Sequence, residues 1–113
     1  MDHSVFDKNS ALDRLGGDLD LLIEIADMFR EDCPQRLKDL ESALAQGDSD
    51  AVHRLAHGIK GAVGNFSAEA AFSAAQELEN LGREGQLSRA PQAYSRLKRE
   101  IDRLMPALGS LKG

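Results

Sequence analysis

Val52-His53-Arg54-Leu55-Ala56-His57-Gly58-Ile59-Lys60-Gly61-Ala62-Val63-Gly64-Asn65-Phe66 is the stretch that decides how this chain folds. Val52, Leu55, Ala56, Ile59, Val63 and Phe66 recur at helical spacing and make one buried stripe. His57, Lys60, Gly61 and Gly64 fall on the opposite face. A solvent-facing helix favours Glu, Lys, Gln or Ala. Here Gly58, Gly61 and Gly64 each cost about 1 kcal/mol against Ala. Departures of this kind from local rules are expected where a function is served. The stretch therefore displays a histidine on a helix, with a cation one turn on and bare backbone beside it.

Helical patterns continue on both sides, and no segment alternates as a strand does. A short helix is expected over about 10–15, starting near Ser10 and stopped by Gly16-Gly17. Asp18 can cap the next, over 18–46, whose stripe is Leu22, Ala26, Phe29, Cys33, Leu37, Leu40 and Leu44. Pro34 falls inside it and predicts a kink or break. Gly47 ends that helix, and Asp48 or Ser49 caps the histidine helix, over 49–65. Ser67 is the expected cap of a helix over 68–84, with Ala71, Ala74, Ala75, Leu78 and Leu81 inward. Ser88 opens the last, over 89–105, and Pro106 is expected to end it near Met105. Residues 1–113 thus read as a single all-α domain. Its architecture is an antiparallel up-down-up-down four-helix bundle with a short additional N-terminal helix.

Composition narrows the function. The 113 residues carry a formal net charge of −5, with 42% hydrophobic and 4% aromatic residues. Phosphate backbones call for clustered Lys and Arg, so no nucleic-acid partner is expected. Arg96, Lys98, Arg99 and Arg103 do gather, but Glu100 and Asp102 interrupt them, as on a solvated helix face. Cys33 is the only cysteine, so no intrachain disulfide can form; its register with Phe29 and Leu37 predicts a buried, inert thiol. No apolar run approaches the ~18 residues that would span a bilayer. The polar start Met1-Asp2-His3-Ser4 is unlike a secretory leader. A cytoplasmic location and no direct membrane insertion are expected.

His57 with Lys60 is the strongest chemical constellation. A neutral imidazole is available near neutral pH, since its reference pKa is about 6.5. It can attack a phosphoryl group without a separate base. Lys60 lies on the same helix face and can screen the phosphoryl oxygens. Gly61 and Gly64 leave room for a protein carrying an acyl phosphate. The competing reading is an inert surface histidine. His53 and His57 have the i, i+4 spacing of zinc ligands, but Arg54 stands where H-E-x-x-H needs Glu, and no second ligand pair follows; no metal site is expected. Hydrolase, P-loop and kinase motifs are missing, so a complete autonomous enzyme is not expected. Leu19 and Ile23 lie off the main stripe of their helix. They either pack under the first helix or form an apolar patch for a partner.

At this point the sequence resembles a histidine-containing phosphotransfer (HPt) domain of a two-component phosphorelay. Ala56-His57-Gly58-Ile59-Lys60-Gly61-Ala62-Val63-Gly64-Asn65-Phe66 is similar to the family's A-H-x-[LI]-K-G-[SA]-x-x-N pattern. Phe6-Asp7, Leu15-Gly16-Gly17-Asp18 and Phe29-x-x-Asp32-x-Pro34 also resemble HPt domains attached to hybrid sensor kinases. The resemblance implies phosphorylation of His57 on Nε2, support from Lys60, and receiver domains as partners. Those partners would bring the aspartyl phosphate and Mg²⁺; no cofactor is expected on this chain. Gly58 departs from a commoner Thr or Ser, and Ala62 from a frequent Ser. A polar residue on the following helix often approaches the histidine; Gln76 and Glu79 are candidates, and the sequence does not choose. Gly61, Gly64, Leu19, Ile23 and Gln76 are the expected partner-binding residues, on a monomer. The start near Phe6 suggests a domain of a longer sensor kinase, itself an expected partner and one that could anchor the chain at a membrane. Two alternatives remain: the phosphoacceptor domain of a chemotaxis-type kinase (H-x-I-K-G), phosphorylated in trans, and a non-catalytic helical binding module.

Overall fold

Three aspartates start three of the helices. The Oδ1 atoms of Asp7, Asp18 and Asp48 accept the N–H groups of Ser10, Leu21 and Ala51 at 3.1, 3.0 and 3.1 Å. Each satisfies a donor that has no partner inside its own helix. A computed structural model describes residues 5–112. There, these caps open α1 (Lys8–Arg14), α2 (Leu19–Gln46) and α3 (Ser49–Gly64). Two more helices follow, α4 (Glu69–Glu84) and α5 (Ala90–Gly109), with 3₁₀ turns at Leu87–Arg89 and Ser110–Lys112. Gly47 and Gly85 end α2 and α4 in the left-handed region, at φ +67° and +70°. Met1-Asp2-His3-Ser4 and Gly113, the ends of the 1–113 domain reading, lie outside the described residues.

Several local features differ from the sequence expectation, among them the start of α5, which Arg89 rather than Ser88 precedes. Helix α1 begins at Lys8 rather than Ser10, because Asp7 caps it. Ser67 does not cap α4: it sits at φ +52°, and its hydroxyl donates to Ser10 Oγ at 2.9 Å, tying the α3–α4 turn to α1. Pro34 does not break α2, which runs as one helix of 28 residues. Proline removes the bond that would reach the Arg30 carbonyl, and both residues are exposed, so water can serve that oxygen. On the other side Phe29, Cys33, Leu37 and Leu40 are buried and hold the helix in place. Pro106 likewise stands on the outer face of α5, which continues past it to Gly109 because Leu104 and Leu108 are both core residues.

The four long helices form a ring. Helix α3 packs on α2 and α4, and α5 closes the ring by packing on α4 and α2. The molecule is 41 Å long and 22 Å across, which is the length of α2 itself at about 1.5 Å per residue. Among the described residues there are no strands, and no helix is long and apolar enough to cross a membrane. Phe29 and Phe66 meet edge to face at 5.5 Å in the core. Cys33 is fully buried, and burial pushes its thiol up to about 11 against a smaller opposing pull from Arg36.

Helices α3 and α4 make the most intimate pair in the ring. The inner face of α4 is largely alanine, with Ala71, Ala74 and Ala75 buried. At Gly82 the backbones nearly touch: a Cβ there would lie 2.6 Å from the His53 backbone nitrogen and 3.0 Å from the Ser49 carbonyl oxygen. No L side chain fits that gap without moving a helix. This closeness lets a carboxylate on α4 reach side chains on the outer face of α3.

Candidate functional site

His57 stands on α3 with 67% of its side chain exposed. Its Nδ1 lies 2.9 Å from Oε2 of Glu79 on α4. An ionised carboxylate has no proton to give, so the imidazole Nδ1–H donates. In the neutral ring this leaves the lone pair on Nε2, at the edge away from Glu79. The geometry thus distinguishes the two ring nitrogens, one engaged by Glu79 and one left unengaged.

Among the described residues Glu79 is the one buried charged side chain, 6% exposed. Its Oε1 is shielded from solvent and lies 2.7 Å from the Lys60 ammonium. The two groups form an ion pair. Burial pushes the Glu79 carboxyl upward, but the Lys60 and His57 contacts outweigh it, and the net effect holds the group below its ordinary value. One carboxylate therefore binds two side chains of α3, spaced three residues apart.

His53 supports the same residue from beneath. Its Nδ1 lies 3.2 Å from the Glu79 backbone oxygen, to which it donates. The i, i+4 pair His53 and His57 is thus joined through one residue of α4, by its backbone and by its side chain. With Gly82 alongside, this fixes the height of Glu79 against α3.

The remaining expected residues scatter. Gly61 faces open space, with nothing within 4 Å of where its Cβ would be. Gly64 differs, because its Cβ position is 3.5 Å from the Phe72 ring. That ring is itself 38% exposed. The Lys60 ammonium lies 5.8 Å from the centre of that ring, at the outer limit of a cation–π contact. Between the two polar candidates on α4, Glu79 is the one that reaches His57, while Gln76 is exposed one turn from Phe72. Leu19 is exposed and Ile23 partly so, both on α2.

Sequence reasoning missed His53 as a support, Phe72, Gly82 and the choice of Glu79. A signal for the last was present. Ala75, Leu78, Glu79 and Gly82 share one inward face, and a carboxylate there calls for a buried partner.

Comparison with known proteins agrees with this geometry. The family model described as Hpt domain matches residues 24–107. The fold is similar to the crystal structure of histidine-containing phosphotransfer protein B (HptB) from Pseudomonas aeruginosa PAO1. The TM-score is 0.85 at 28% identity, over 93% of this chain and 91% of the other. No curated protein matches the chain.

Proposed function

The chain belongs to the HPt domain family, and from that premise we propose that it carries a phosphoryl group on His57 from one receiver-domain aspartate to another. The observation that carries this is the Glu79 contact, which presents Nε2 of an exposed imidazole as the nucleophile. Nε2 attacks the phosphorus of an aspartyl phosphate. The N–P bond forms, the P–O bond breaks, and the aspartate leaves as a carboxylate with the bonding electrons. The Nδ1 proton stays in place. The ring becomes cationic as it is phosphorylated, and the Glu79 carboxylate stabilises that charge, as the acid of a catalytic triad stabilises its imidazolium. Transfer to the next receiver reverses these steps.

Lys60 is assigned to the phosphoryl oxygens, a role for which it must loosen its grip on Glu79. Gly61 gives the incoming receiver an unobstructed approach, and Gly64 acts through Phe72. Gln76, Leu19 and Ile23 are assigned to the same docking face. The chain binds no nucleotide, metal or other cofactor in this scheme; Mg²⁺ belongs to the receiver. It acts as a monomer in the cytoplasm, beside or within a hybrid sensor kinase.

The test is transfer from a phosphorylated receiver. Wild type is expected to be labelled, and His57→Gln to stay unlabelled with unchanged helicity. Label on that variant, or label at His53, overturns the assignment. Labelling only by an ATP-bound kinase domain would favour the chemotaxis-type alternative.

A further inference from the structure

Lys60 is an incomplete answer to the charge of a phosphoryl group, because Glu79 already neutralises it. A phosphoryl group arriving on Nε2 needs positive charge that is not already spoken for. One such charge stands on the other flank of α3. A Cβ at Gly58 would lie 3.0 Å from Nη1 of Arg36, on α2. The guanidinium therefore lies over the backbone of the residue next to the phosphoacceptor. Arg36 forms no hydrogen bond or ion pair among the described residues, unlike Arg30, Arg96 and Arg103, which meet carboxylates. It is exposed and free to turn.

The ring of helices places these parts on opposite flanks of α3. Glu79 and Lys60 hold the α4 side. Arg36 comes from α2, the neighbour of α3 on its other side. Glu79 occupies the Nδ1 edge, which leaves the Nε2 edge of the exposed ring for the phosphoryl group. Gly58 is what lets the guanidinium lie there, since any β-carbon would press on it.

Resting on the phosphocarrier reading, we infer that Arg36 is a second cation of the phosphoryl site, admitted beside His57 by the missing side chain of Gly58. Its planar fork pairs with two phosphoryl oxygens during transfer. It forms no covalent bond and moves no proton.

The experiment uses two phosphodonors: a phosphorylated receiver, and phosphoramidate, which has no protein surface to dock. Arg36→Ala is expected to slow labelling of His57 by about fivefold to tenfold with both donors, and to shorten the lifetime of the phosphohistidine. Arg36→Lys keeps the charge but not the fork, and should fall between. Gly58→Ala should raise the melting temperature, as Ala favours helix, yet slow labelling by displacing the guanidinium. In the Arg36→Ala background, Gly58→Ala should slow nothing further. Arg54→Ala removes a charge from α3 itself and serves as the control for general electrostatics.

Unchanged rates for Arg36→Ala overturn the inference while leaving the phosphocarrier reading intact. Equal slowing by Arg54→Ala, or a defect seen with the receiver alone, overturns it too, the latter in favour of a docking contact. A wild-type chain that takes label from neither donor overturns both readings together.

Discussion

Two glutamates reach across helix seams in this molecule, and they do so under opposite conditions. Glu41 on α2, itself exposed, accepts a hydrogen bond from the Tyr94 hydroxyl on α5. Glu79 crosses from α4 to α3 with only 6% of its surface exposed, and it meets two cationic or protonated partners. The Glu41 seam would close without its hydrogen bond, because Leu37, Leu40, Leu97 and Ile101 are buried there anyway. At the Glu79 seam Val52, Ile59, Val63 and Leu78 are buried as well, so the carboxylate is not needed to close it and yet pays desolvation to sit there. The contrast teaches that the first contact decorates a finished interface, whereas the second shapes a site. A buried carboxylate is kept where its orientation of other groups is worth more than its burial.

The sharpest way to break this comparison is to remove Glu79. Glu79→Ala should lower the rate of transfer to His57 by between about tenfold and a hundredfold, the equivalent of the ~1.5–3 kcal/mol of a hydrogen bond to a charged group. Glu79→Gln keeps an oxygen for the Nδ1–H and should retain more activity. Rapid-quench labelling with one cognate receiver measures both; equal rates for wild type and Glu79→Ala would make Glu79 another Glu41. The pH profile gives a second reading. The Glu79 carboxyl is lowered from its ordinary 4.5 in the folded protein. Its contribution to stability is therefore complete above that value and is lost as pH falls through the lower folded value. Urea unfolding from neutral into acid pH should show this loss in wild type and not in Glu79→Gln.

Gly82 tests the seam itself. Gly82→Ala should destabilise by about 1–3 kcal/mol through overpacking, although Ala gains about 1 kcal/mol as a helix former. Thermal unfolding decides between the two signs. A stabilised variant would show that the two helices can part freely.

Lys60→Ala is expected to slow transfer by about tenfold, or roughly 1.4 kcal/mol. It also leaves Glu79 Oε1 without its counter-charge, so the Glu79 carboxyl should titrate at higher pH, readable by carboxyl-carbon NMR. A lost rate with an unmoved titration would place Lys60 on the phosphoryl group alone.

At Gly61 the expected change is confined to access. Gly61→Gln should slow transfer from a receiver by a fewfold while leaving stability equal or higher, since nothing lies within 4 Å of its Cβ position. Stopped-flow transfer together with thermal unfolding checks both halves.

The smallest effect should come from the other seam. Tyr94→Phe should cost about 1 kcal/mol or less and leave transfer unchanged. In wild type, burial and the neighbouring Glu41 raise the Tyr94 hydroxyl above its ordinary value. A spectroscopic titration of the single tyrosine should show that shift, and a transfer defect in Tyr94→Phe would end the contrast between the seams.

Much of this was legible in the residues alone. The apolar stripe from Val52 to Phe66 fixed the orientation of α3, and with it the outward placement of His57, because helical period and burial are local properties of a sequence. Asp18, and the pair Asp48 and Ser49 of which Asp48 is the cap, announced two helix starts by the same local logic. The family pattern around His57, Lys60 and Gly61 pointed to the chemistry. Pro34 and Pro106 misled, because proline's effect depends on which way the helix faces. Both stand on exposed faces, where the core can carry the helix past them. Tertiary structure alone decided what flanks His57. Glu79 was preferred over Gln76 by the distance between two helices, and that distance was set by Gly82 lying against His53. Arg36 came beside Gly58 by the packing of α2 on α3, across 22 residues of sequence. Such relations depend on which helices are neighbours and how closely they approach, and no local periodicity encodes either.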